Sequence, residues 1–241
     1  MFGKRNRSII ISYLSLRRSI GILGILLPFV CVFGGLLFSD VPIGSSISFY
    51  YHTNMRDFFI GILAGISLFL IAYKGYHRID NIVTSVIGFL GLGVAAFPSR
   101  YNIASTEPLG IFQMAPNISN QIHLICAFTF FFLLAINSIF LFTLTERGNI
   151  PKTRNRKIRN YIYIGCGIVI LISLAILLIR SLVGAGAEDS KILLFLETVM
   201  LVAFGVSWLV KGRTLEFIRY GFDKTLEKLE SVSGGKFTNL F

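Results

Sequence analysis

Apolar positions in this chain come in long blocks rather than in stripes. Six blocks stand out: Ser19–Ser39, Asp57–Tyr73, Ile82–Pro98, Ile122–Leu144, Tyr161–Leu182 and Ile192–Val210. Each is roughly 17–24 residues long, which at about 1.5 Å per residue is what a helix needs to cross about 30 Å of hydrocarbon. The pattern predicts an all-α integral membrane bundle of six transmembrane helices, one domain spanning residues 1–214. Beyond it, Leu215, Ile218, Phe222, Leu226 and Leu229 recur every three or four residues, with Lys224, Glu227, Lys228 and Glu230 between them. That alternation predicts an amphipathic helix on the inner membrane surface, so residues 215–241 read as a cytoplasmic amphipathic helix and flexible tail. Pro28 is expected to kink or break the first helix. Gly61, Ala64 and Gly65 on the second block, and Gly88, Gly91 and Ala95 on the third, offer small faces for close helix approach.

Composition agrees with the blocks. The chain is 54% hydrophobic and only 15% charged over 241 residues, against about 25% charged in an ordinary soluble domain. A soluble enzyme domain, a disordered chain and a disulfide scaffold are all excluded. Cys31, Cys126 and Cys166 lie singly inside apolar blocks and read as small packing residues. The net charge of +11 would suggest nucleic acid in a soluble protein, but here its distribution sets topology. Lys4, Arg5, Arg7, Arg17, Arg18, Lys74, Arg78, Arg147, Lys152, Arg154, Arg156, Lys157, Arg159, Lys211, Arg213, Arg219, Lys224, Lys228 and Lys236 fall on one side; Arg56, Arg100, Arg180 and Lys191 fall on the other. The positive-inside bias therefore puts both termini in the cytoplasm. Membrane lipids are the expected partners, a membrane-protein partner or a second copy is left open, and nucleic acid is not expected.

Candidate chemistry gathers at the outer ends of the blocks. His52, Arg56 and Asp57 run into the second block, His123 opens the fourth, and Glu197 lies roughly 9 Å along the sixth from Lys191. Asp57 also suits a helix N-terminus electrostatically, and lone histidines often serve interfacial hydrogen bonding. Glu197 is different, because an ionisable group within hydrocarbon is expensive unless paired, protonated or wet. Its expected partner is one of His52, Arg56, Asp57 or His123, with Arg180 as another candidate for a structural ion pair, and its helix face should turn Leu201, Phe204, Trp208 and Lys211 inward with it. His52, Asp57, His123 and Glu197 are a workable ligand set for a divalent metal such as zinc, and equally a metal-free acid–base set. Neither comes with a recognised motif spacing. Asn137 and Ser138 are expected to bridge helices by hydrogen bonds. Three functions stay open: binding of a lipid or other amphiphile at the outer polar site, a membrane-embedded hydrolase or acyl-transfer enzyme that could be metal-dependent, and a transporter or accessory subunit.

Tyr50-Tyr51-His52-Thr53-x-Met55-Arg56-Asp57, Tyr73-Lys74-Gly75-Tyr76, Gly93-Val94-Ala95-Ala96-Phe97-Pro98, Ile122-His123-Leu124, and Glu197 with Phe204-Gly205-Val206-Ser207-Trp208-Leu209-Val210-Lys211-Gly212 together resemble a bacterial multi-pass membrane protein family known only as a domain of unknown function. The resemblance covers about residues 10–214 and implies a bacterial plasma (inner) membrane protein, with no reaction attached. Ser46, Ser48 and His52 before a helix more faintly resemble the CREST-type membrane hydrolases, whose seven spans and paired His-x-x-x-His are not found here. The layout is also similar to that of six-span Frag/DRAM-type proteins.

Overall fold

The computed structural model describes residues 2–38, 42–75, 77–100, 108, 110–144, 154–184 and 191–214. Among these there are six long helices: α1 (Phe2–Phe38), α2 (Arg56–Ala72), α3 (Arg78–Ala96), α4 (Pro116–Leu144), α5 (Arg154–Leu182) and α6 (Ile192–Lys211). Five are long and apolar enough to cross a membrane. The exception, α2, is equally apolar but has 17 residues, at the short limit for a span. The amphipathic helix expected beyond Thr214 lies outside the described residues. We call the end holding the starts of α2, α4 and α6 the outer end, and the opposite, cation-rich end the inner one.

Each helix packs on its neighbour in the chain, and α6 closes back onto α1, so the six form a ring around one core. Closure depends on glycine. A Cβ on Gly21 would stand 2.7 Å from the Gly205 carbonyl oxygen, and one on Gly205 would stand 2.6 Å from the Gly21 oxygen, distances at which side chains are forbidden. The third block's small face is used as expected: Gly88 meets the Ser67 carbonyl, and Gly91 meets the Ser67 hydroxyl. The second block's is not. Gly61 has nothing within 4 Å, and Gly65 touches only the Leu23 side chain.

Two expectations need correcting at the helix ends. The first helix starts at Phe2 rather than near Ser19, so Arg17 and Arg18 belong to its body instead of to an arm. It also continues through Pro28 rather than breaking there, with one amide donor missing from the ladder. In α4 the regular ladder gives way to a π-turn at Asn137–Leu141, which widens the helix where α5 crosses it. Ser138 there donates to the Tyr163 carbonyl at 2.8 Å, the interhelical bridge expected of it. Asn137 is as deeply buried, yet its Nδ2 has no hydrogen-bond partner among the described residues.

The core's inner half is aromatic. Trp208 meets the edges of Tyr73 and Phe142 at centroid distances of 5.0 and 5.2 Å. Two cations counted above as topology markers are buried against it. Arg17 donates to the Tyr73 hydroxyl (2.9 Å), the Tyr13 hydroxyl (2.6 Å) and the Lys211 carbonyl (3.2 Å). Lys211 donates from Nζ to the Phe142 carbonyl at 3.0 Å and faces the Phe142 and Tyr163 rings. Both are about 5% exposed, so they join helix ends rather than meet solvent or lipid headgroups.

Candidate functional site

The predicted polar residues do reach the outer end, but they divide into a loop clasp and a separate carboxyl. After α3 the chain presents three successive carbonyls, and side chains from two other elements hold one each. His123 donates from Nδ1 to the Phe97 carbonyl (2.7 Å), Ser119 donates its hydroxyl to Pro98 (2.9 Å), and His52 donates from Nε2 to Ser99 (2.7 Å). A carbonyl can only accept, so each imidazole nitrogen involved carries the proton. The Val94 carbonyl also lies against the His123 ring. Such carbonyls follow a helix C-terminus, where backbone acceptors have run out of helical partners. Both histidines thereby have a structural occupation that spacing alone did not reveal. Burial pushes the His52 imidazole below its ordinary value of 6.5; the Ser99 bond opposes this and Arg56 adds to it.

Arg56 and Asp57 stay exposed at the start of α2. The Arg56 guanidinium donates to the Tyr51 hydroxyl at 3.1 Å and lies over that ring. Asp57 is in the first turn of the helix, where a negative charge suits the dipole. Tyr50, on the short 3-10 turn Ser48–His52, takes the Gly44 amide on its hydroxyl (3.3 Å), and burial pushes the phenol up.

Glu197 is where sequence reasoning placed it, on the inward side of α6 with Leu201, Phe204, Trp208 and Lys211 all buried below it. Its hydrogen-bond partner is one the sequence did not signal: Oε2 accepts the backbone amide of Ile47. The bond is half of a reciprocal strap, since the Leu194 amide in the first turn of α6 donates to the Ser45 carbonyl at 2.8 Å. One orphan donor of the helix and one of the loop are satisfied together. No side-chain signature marks either backbone partner, which is why only the carboxyl was visible in advance. Among the described residues, no group of three or more His, Cys, Asp or Glu side chains stands close enough to hold a metal ion.

Two voids meet at this carboxyl. A small one of about 40 Å³ lies inward, with His123, Ser48 and Phe131 on its walls. The large one is a groove of about 560 Å³ between the outer halves of α4, α5 and α6. Leu124, Phe128, Phe131, Leu174, Leu178 and Met200 make it apolar, while Glu197, Arg180 and Ser181 are its polar side chains. Arg180, weighed from the sequence as a structural partner for Glu197, lines the same groove as that carboxyl. Neither a family model, nor a curated protein, nor a solved structure matches the chain.

Proposed function

We propose that this multi-pass membrane protein binds an amphiphile in the groove between α4, α5 and α6, with its apolar part against Phe131, Leu174 and Met200 and its polar part near Glu197, Arg180 and Ser181. In this reading α2 spans as well, giving six spans with both termini in the cytoplasm, and a bacterial inner membrane is the setting. One observation carries the proposal: a groove of about 560 Å³, walled by three helices, whose apolar lining is interrupted by one carboxyl and one guanidinium. Its size falls within the range of small-molecule sites, which pair an apolar wall with a few polar groups. A surface meant only for annular lipid has no need of a carboxyl.

A chain-labelled photoreactive fatty acid tests this in vesicles holding the protein. Labelling should concentrate on residues 124–131, 174–181 and 193–200, and Ser181→Trp at the rim should suppress it several-fold. Labelling spread evenly over lipid-facing Phe33, Leu68 and Phe89, which are all more than half exposed, overturns the reading.

A further inference from the structure

The polar groups of the groove also specify what kind of amphiphile fits. This step rests on the groove reading above. Arg180 lies two residues before the outer end of α5, and Glu197 five residues after the outer end of α6. At about 1.5 Å per residue, and with the two helix ends taken at one level, the Glu197 backbone is roughly 4–5 Å deeper than that of Arg180. The Arg180 guanidinium is the cation among the described residues lining the groove, and its donor fork best matches a phosphate or carboxylate. Glu197 uses Oε2 for Ile47, while Oε1 takes no hydrogen bond from the described residues, and the residue lines the groove. A carboxyl oxygen in an apolar wall needs a donor.

We propose that the groove selects a single-chain anionic amphiphile with a free hydroxyl just beneath its charged group, such as a monoacylated glycerol phosphate. The hydroxyl meets the requirement at Glu197 in either protonation state, since it can donate or accept. The ester and phosphodiester oxygens of a two-chain phospholipid only accept. Four single bonds separate the phosphorus from the free hydroxyl of such a molecule, so at about 1.5 Å each the charged group can stay at Arg180 while the hydroxyl reaches inward toward Glu197.

Three photoreactive probes sharing one diazirine chain distinguish the possibilities in phosphatidylcholine vesicles: the monoacyl glycerol phosphate, an alkyl phosphate without hydroxyl, and a monoacylglycerol without phosphate. At equal mole fraction the first should label residues 124–131 and 193–200 about tenfold more than either other, the effect of one charge-assisted hydrogen bond. Arg180→Gln should lower it to the monoacylglycerol level, and Glu197→Leu to the alkyl phosphate level. Equal groove labelling by all three probes on the unsubstituted protein overturns this selectivity while leaving the groove reading standing. Labelling by none of them above the level at Phe33 and Phe89 overturns both.

Discussion

Individual residues in this protein are explained by their backbone partners more than by each other. His52 and His123 looked like ligands because histidines are scarce and both fall at the outer end, yet each holds a carbonyl of the 97–99 segment. One consequence is a pH dependence with a definite sign. The His52 imidazole titrates below 6.5 in the folded protein, so the unfolded chain binds its proton first. Its contribution to stability is complete above about pH 6.5 and is lost as the pH falls through the folded value. His123 and Arg56 are the neighbours that act on it electrostatically. Thermal unfolding in detergent should therefore drop between pH 7.5 and pH 5, and by less in His52→Gln, which keeps a donor but cannot titrate. Identical pH profiles for the two proteins would remove His52 from the account. Arg17 yields a second expectation. Arg17→Leu strands the Lys211 carbonyl and takes a donor from the Tyr13–Tyr73 hydroxyl pair, and should cost about 1–3 kcal/mol for the carbonyl left buried without a partner. Arg17→Lys, a point charge with no planar fork, should recover only part of it. Full recovery by lysine, read as equal melting temperature, contradicts the fork geometry.

Among the elements, the far ends of the helices were legible in hydropathy and the near ends often were not. The fourth and fifth blocks end at Leu144 and Leu182, as α4 and α5 do, but those helices begin at Pro116 and Arg154, six or seven residues before the blocks Ile122–Leu144 and Tyr161–Leu182. A helix continues through polar residues at the interface because its hydrogen bonds are internal to the segment, whereas an apolar block stops at the first polar run, Asn117 to Gln121 before α4's block and Arg154 to Asn160 before α5's. The same blindness hid Arg17, which reads as part of a basic arm and is in fact a buried member of α1. Small residues were half-legible: composition marks where close approach is permitted, and only the neighbour determines whether it occurs. Gly205 and Gly61 separate the two cases. Gly205→Val should drive α1 and α6 apart and lower stability by about 1–3 kcal/mol, as overpacking does, while Gly61→Val should change little because nothing lies within 4 Å. Comparable loss at both positions in a detergent melt would refute the ring closure described here.

At the scale of the whole molecule, the proposed topology is directly testable. In a protein freed of Cys31, Cys126 and Cys166, a cysteine at Lys191 should react with an impermeant maleimide from outside, and one at Lys74 only after permeabilisation. The opposite pattern would invert the orientation inferred from charge. The ring also has a temporal side. Arg17 and the Lys211 carbonyl it binds are 194 residues apart in the chain, and at about 5–20 residues per second the ribosome needs roughly 10–40 s to make that stretch. For that interval the first helix has left the exit tunnel with a guanidinium whose acceptor at Lys211 does not yet exist. Until the last helix emerges, the guanidinium has the Tyr13 and Tyr73 hydroxyls to donate to, and the insertion machinery, lipid phosphate drawn inward, or water must meet its remaining donor. A chain terminated before α6 would keep that donor unmet permanently and offer membrane proteases a simple mark of incomplete synthesis.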